Sequence, residues 1–219
     1  MCSSPGSSGS GKLREIRDFS MRSGIILAGG EARRAGGKEK YFFNHCGETF
    51  ISRLVSTLNE IVDEVIIVAR DNDQCRRFSG FAGVRVVPDL HQGRGPVGGI
   101  HAGVCKAEGD LIFAVACDMP CVSGAVIEYL FRAAEGFDAA IPRWENGMTE
   151  PLHAVYRRQA LVERFDGAEA WSMRDLMAGL AVHYVDCSLL RQYDPDLLTF
   201  TNINHADDLA RLRAAFPEE

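Results

Sequence analysis

The chain has 219 residues, 46% of them hydrophobic and 25% charged, with a formal net charge of -6. That size and apolar content suit a single domain with a sizeable core. The acidic balance argues against broad nucleic-acid binding, which calls for a basic stripe, and no apolar run approaches the ~20 residues of a bilayer span.

The first 20 residues, rich in Ser and Gly and then mixed in charge, read as a flexible leader without the apolar segment of a signal peptide. Residues 21–219 read as one domain. The chain's seven cysteines are scattered and form no CxxC pair, the usage of reduced thiols packed as small hydrophobes, so a cytoplasmic location is expected.

Beyond the leader, "SGIILAGG" predicts a buried strand ending in a glycine loop. "TFISRLVSTLNEIV" sets apolar residues at helical spacing, and "DEVIIVAR" predicts a second strand. A short helix around Gln74 to Phe78 precedes a third strand, "VRVVPD". "GPVGGIHAGVCKAEG" opens on glycines and continues as a helix, "DLIFAVACD" is a fourth strand, and a helix follows from about Gly124 to Ala134. Apolar strands separated by helices predict βαβ units on a parallel sheet covered on both faces. The back part is less regular. "DAAIPRWENGMTEPLHAVYRR" predicts two strands around an Asn-Gly turn and then a helix. "AVHYVD" and "LTFTNIN" predict short strands, and "HADDLARLRAAF" a final helix capped by Asn204.

The unusual residues gather after the first, third and fourth strands, where an open α/β sheet binds its ligand. Gly29 and Gly30 allow a sharp turn that brings backbone N–H groups to a phosphate, and Arg33, Arg34, Lys38 and Lys40 add positive charge. The loop is neither a Walker loop nor a dinucleotide fingerprint. Five glycines crowd Gly93 to Gly103, a burden on a helix that close approach of a ligand or another backbone would offset. Asp89 at the end of the third strand is a candidate for a ribose or base, or a turn residue capping its own loop. Asp118 in "ACDMP" is a candidate Mg²⁺ ligand, since Mg²⁺ takes one or two carboxylates together with substrate phosphates and water; its alternative is a helix cap. The histidines show no metal-ligand spacing, and no Ser or Cys sits in a nucleophile elbow. These parts suit nucleotidyl transfer, in which two anionic groups must be neutralised and aligned for in-line displacement.

"LAGGEARRAGGKEK", "VVPD…GRGPVGGIHAG", "ACDMP", "EPLHAVYRR" and "FTNINHADDL" occur in the order seen in molybdenum cofactor guanylyltransferases, and the resemblance spans about Ser23 to Leu212. It implies an α/β, Rossmann-like three-layer nucleotidyltransferase fold with a mostly parallel central sheet. It also implies Mg²⁺ as cofactor, GTP and a molybdopterin-type acceptor as partners, and recipient molybdoenzymes or their chaperones downstream. Carried over by motif, Leu27, Ala28, Gly29 and Gly30 would line the nucleotide pocket, and Lys40 would hold the triphosphate with Arg34 beside it. Arg70 and Asp89 would contact the nucleoside, and Asp118 would bind nucleotide and Mg²⁺. Gly37, Gly95 and Gly99 would shape the pocket, while Asn202 and Asn204 would face the acceptor. Two departures concern the triphosphate loop: Ala35 stands where the family usually has Met, and Glu39 where it has Asp. Gly29, in place of the Ala of related cytidylyltransferases, favours GTP. Two alternatives remain open at this stage: a cytidylyl- or guanylyltransferase using another small phosphorylated acceptor, and a non-catalytic nucleotide-binding regulator on the same sheet.

Overall fold

The computed structural model describes residues 20–29, 44, 45, 47–167, 172–203, 208 and 210. The expectations for the leader, for Gly30 to Lys40 and for the Asn204 cap lie outside them.

Seven strands form one sheet in the order β5-β4-β1-β6-β8-β7-β9. The first four are β1 (Arg22–Leu27), β4 (Glu64–Ala69), β5 (Val84–Pro88) and β6 (Leu111–Ala116), all mutually parallel. They match the four predicted strands. β8 (His153–Arg157) runs antiparallel to β6 and to β7 (Ala139–Arg143), and β7 pairs in parallel with the edge strand β9 (Val182–Asp186). A small antiparallel ribbon of β2 (Asn44–His45) and β3 (Glu48–Thr49) precedes the first helix.

Successive side chains on a strand point to opposite faces, so each apolar strand supplies two cores. Ile26, Val65, Ile67, Phe113 and Val115 lie in one core, and Ile25, Ile66, Val68, Ile112 and Ala114 in the other. The first is covered by α1 (Phe50–Asn59) and α4 (Gly124–Ala133), the second by α3 (Gly95–Val104), α5 (Arg158–Gly167) and α6 (Met173–Ala178). Helix, sheet and helix make the three layers. α2 (Asn72–Arg77) and α7 (Cys187–Leu190) are short. Among the described residues no helix is long and apolar enough to cross a membrane.

Helix starts follow side-chain chemistry. Thr49, Asp71, Ser123 and Ser172 each accept a hydrogen bond from the third residue on, the ordinary N-cap arrangement. Because Ser123 caps α4, capping does not account for Asp118. At the amino ends of the strands a polar network closes the sheet: Ser23 Oγ lies 2.6 Å from Glu64 Oε1, Gly109 N–H donates to Ser23 Oγ, and Arg85 bonds to Glu108.

One predicted element differs. "LTFTNIN" is not a strand over its described residues: Leu198–Phe200 is a single 3-10 turn, Thr201 after it is extended, and residues 201–203 carry no strand pairing. β-branched and aromatic residues suggested a strand, but their partners are side chains and loops. Leu197 enters the turn with φ 54° while its N–H bonds to the Asp194 carbonyl. Left-handed backbone is uncommon outside glycine, so surrounding contacts determine this segment.

Candidate functional site

β1 lies between β4 and β6, and its connection leads to β4 on one side while β6 joins from the other. That reversal of direction is the switch point, and its crevice opens at the carboxyl ends. The chain leaves β1 through Leu27, Ala28 and Gly29. Cys117 N–H donates to the Leu27 carbonyl and Ala28 N–H to the Val68 carbonyl, which draws the ends of β1, β4 and β6 together. Asp118 is half-buried, one residue beyond that Cys117 contact.

Gln74, 1% exposed, organises the turn from α2. Its Nε2 donates to the Ala28 carbonyl at 3.2 Å, and its Oε1 accepts from Arg70 N–H at 2.6 Å. The Leu27 carbonyl and the N–H and carbonyl of Ala28 are thus engaged in drawing the strand ends together. The signal for Gln74 was Asp71-x-x-Gln74, which has capping-box spacing. Asp71 does cap Gln74 N–H, but the Gln74 side chain reaches across to β1 instead of back to its own cap. The bond from Gln74 N–H, with the smaller help of Arg70 Nε at 2.9 Å from Asp71 Oδ2, holds the Asp71 carboxyl below the usual range.

On the β5 side, Asp89 Oδ1 accepts from His91 N–H at 2.8 Å, so this carboxylate shapes its own loop while sitting at the strand end. His91 Nε2 lies 3.1 Å from His101 Nδ1, and their rings stack. Burial pushes the His101 imidazole down, and His91 adds to that.

α3 begins without a side-chain cap hydrogen bond at Arg94, and Pro96 lies in its first turn. An uncapped helix start carries N–H groups and partial positive charge suited to an anion. The glycines divide by physical role. Gly93 and Gly95 have φ of 84° and 65°, a left-handed turn that needs glycine. Gly99 and Gly103 instead let α3 lie on β1. A Cβ at Gly99 would stand 3.0 Å from Leu27 Cδ2, and one at Gly103 only 2.6 Å from Ile25 Cδ1. Gly29 is similarly crowded, since a Cβ there would stand 3.3 Å from Arg70 N. Part of the glycine crowding therefore reflects the chain's own packing.

The far wall comes from the back part of the sequence. Ile203 N–H donates to the Asp118 carbonyl at 2.9 Å, bringing exposed Asn202 beside the end of β6. Thr199 Oγ1 accepts from Ser123 N–H and lies 3.2 Å from His153 Nε2. His153 is fully buried, and burial alone pushes its pKa down to about 3. Its signal in sequence was an imidazole within the otherwise apolar "HAVY".

The predicted residues Leu27, Ala28, Gly29, Arg70, Asp89, Gly95, Gly99, Asp118 and Asn202 thus border one end of the sheet. Gly30, Arg34, Gly37, Lys40 and Asn204 lie outside the described residues. Among the described residues no group of three or more His, Cys, Asp or Glu could enclose a metal ion. Among the described residues the cysteines, Cys75, Cys105, Cys117, Cys121 and Cys187, form no disulfide.

Residues 24–184 match the family model of the MobA-like NTP transferase domain. A protein of Methanosarcina acetivorans designated "probable molybdenum cofactor guanylyltransferase" is 39% identical over 212 residues, covering 92% of this chain and 94% of its own. The molybdenum cofactor guanylyltransferase of Desulfosudis oleivorans is 37% identical over 196 residues, with 88% and 95% covered. The crystal structure of molybdopterin-guanine dinucleotide biosynthesis protein A from Archaeoglobus fulgidus superposes with a TM-score of 0.73 at 32% identity, covering 88% of this chain and 97% of that one. Sheet order and similarity over most of the chain agree: the protein is a nucleotidyltransferase and belongs to the MobA-like NTP transferase family.

Proposed function

We propose that the protein transfers GMP from GTP to the phosphate of molybdenum-loaded molybdopterin, with Mg²⁺, giving the guanine dinucleotide form of the cofactor and pyrophosphate. The observation that carries this reading is the bond from Ile203 N–H to the Asp118 carbonyl. It sets the segment proposed to meet the acceptor against the backbone of the residue whose carboxylate is proposed to meet the nucleotide, within a family whose relatives bear the matching name. In the reaction an acceptor phosphate oxygen attacks the α-phosphorus of GTP. A new P–O bond forms there, the bond to the bridging oxygen of the β-phosphate breaks, and pyrophosphate leaves with the electron pair.

Each residue has a task in that displacement. Leu27, Ala28, Gly29, Gly30 and Gly37 line the nucleotide, with Gly95 turning the chain into α3 and Gly99 letting α3 lie close to β1. Lys40 and Arg34 neutralise the triphosphate, Arg70 and Asp89 border the nucleoside, and Asn202 and Asn204 meet the acceptor. The donor set fits Mg²⁺, a hard ion that takes one or two carboxylates and completes six oxygens with phosphates and water. Asp118 supplies a half-buried carboxylate without a competing closed cage among the described residues. Bound Mg²⁺ supplies charge neutralisation at the phosphates.

Pyrophosphate release measured with GTP, CTP, ATP and UTP in turn, with Mg²⁺ and molybdenum-loaded molybdopterin, tests the reading against Asp118→Ala. Release with GTP alone, dependent on acceptor and lost in the variant, is expected. Preference for CTP would overturn the base assignment, release with a sugar phosphate but not molybdopterin would overturn the acceptor, and near-normal turnover of the variant would remove Asp118 from the mechanism.

A further inference from the structure

The proposed reaction needs two walls at fixed separation, one for nucleotide and metal and one for acceptor, yet the acceptor wall has no strand pairing to hold it. What holds it is a short list of specific bonds. Thr199 N–H donates to Asp194 Oδ2 at 2.8 Å, inside the wall itself. Thr199 Oγ1 reaches outward, accepting from Ser123 N–H at 3.0 Å and meeting His153 Nε2 at 3.2 Å. Four residues on, Ile203 N–H closes onto the Asp118 carbonyl. The segment is pinned at both ends to the two ends of the 118–123 loop.

His153 is the central member of this arrangement. It stands on β8 opposite Val115 of β6, within the strand pair that precedes Asp118. Its ring meets Phe113 edge-on at 5.1 Å and Phe200 at 5.0 Å, and Phe200 in turn meets Trp144 at 5.5 Å. Trp144 is held by Glu150 through Nε1 and Oε1 at 2.8 Å. One imidazole therefore touches the sheet floor, the turn bearing Thr199 and Phe200, and, through Phe200, the excursion after β7.

An imidazole is an expensive choice for that position. It is fully buried, and Nδ1 has no hydrogen-bond partner among the described residues. With either tautomer one ring nitrogen stays unpaired, a desolvation cost that an apolar side chain of similar size would avoid. What such a side chain could not provide is the polar contact to Thr199 Oγ1. That contact uses the part of the hydroxyl left over once Ser123 N–H has taken one lone pair.

We propose that His153, acting through Thr199, is a positioning residue that sets the acceptor wall of residues 199–203 against the Asp118 loop. The inference rests on the reading of that wall as the acceptor side. Neither residue needs to touch substrate. Their effect is to fix Asn202 relative to Asp118, and so to align the acceptor phosphate with the α-phosphorus, where a displacement of about 1 Å can cost ~10²-fold in rate.

The test separates positioning from folding with matched variants. Thr199→Val keeps volume and removes the hydroxyl, whereas Thr199→Ser keeps it. His153→Leu removes Nε2, whereas His153→Gln offers an Nε2 donor in its place. With all four shown to be folded at the assay temperature by circular dichroism, steady-state pyrophosphate release is measured against GTP and against molybdenum-loaded molybdopterin separately. Thr199→Val and His153→Leu are expected to raise the acceptor KM or lower kcat by about tenfold or more and to leave the GTP KM within about twofold, with Ser and Gln restoring most of the loss. Unchanged acceptor kinetics, an equal rise in both KM values, or no rescue would overturn the proposal. If the wild type itself released no pyrophosphate with molybdopterin, the functional reading would fail, and amide exchange would still judge the strut. Faster exchange at Ile203 in Thr199→Val, with β1 amides unchanged, would uphold it, and unaltered protection would refute it.

Discussion

Acidification should destabilise this protein through His153. The imidazole is neutral in the fold, its pKa pushed down to about 3 by complete burial, against about 6.5 in an unfolded chain. Between those values the unfolded chain binds a proton that the folded protein refuses, so stability falls as pH falls through 6.5 and levels only near 3. Above 6.5 both states are neutral and His153 contributes no pH dependence. Going from pH 7 to pH 5 costs about 2 kcal/mol from this one group, a large share of a typical stability of about 5–15 kcal/mol. His153→Gln removes the titration and leaves every other group in place, so the wild-type minus variant difference isolates it. Urea unfolding at pH 7, 6 and 5, followed by tryptophan fluorescence, measures that difference. It should shrink by about 2 kcal/mol, or about 4–8 °C in Tm for a chain of this size. A difference that stays flat to within about 0.5 kcal/mol would refute a buried neutral imidazole, because a group titrating near 6.5 in both states gives no slope.

Two other substitutions probe the crevice itself. Gly103→Ala puts a methyl group 2.6 Å from Ile25 Cδ1 and 2.9 Å from Cγ2, and Ile25 is fully buried and cannot swing aside. The loss should be about 1–3 kcal/mol, read as a lower urea midpoint without a change in slope; a neutral result would mean that α3 and β1 separate freely. Gln74→Leu removes the partners of the Ala28 carbonyl and Arg70 N–H at once. The buried Ala28 carbonyl left unmet should cost about 1–3 kcal/mol, and GTP KM should rise while the acceptor KM does not; unchanged GTP binding would detach Gln74 from the nucleotide side.

The four parallel strands were legible because their signal is local: runs such as "VIIVA" and "LIFAVA" are apolar throughout, as strands buried on both faces must be. The glycine loops and the isolated Asp89 and Asp118 were legible as a candidate site because they fall after those strands, and a parallel sheet gathers its carboxyl ends on one edge. The reason for each glycine was not legible. Gly95 needs its positive φ, whereas Gly103 needs the absence of a methyl group facing Ile25, and nothing in the local sequence separates the two. "LTFTNIN" misled because β-branched and aromatic residues favour strands through the packing they find there, and here Thr199 and Phe200 are buried in a 3-10 turn instead.

The sequence by itself determined the alternation of strand and helix, the edge of the sheet that carries the site, and the residue types suited to a triphosphate and a metal ion. These follow from periodicity and side-chain chemistry, which the chain carries residue by residue. Only the tertiary structure decided that Gln74 ties β4 to β1, that Ile203 closes on Asp118, and that His153 lies buried against Thr199, 46 residues away in sequence. Such contacts join side chains and backbone groups whose separation along the chain bears no relation to their distance in space. They come into being only when the sheet has set its strand order and the far segment has packed back upon it.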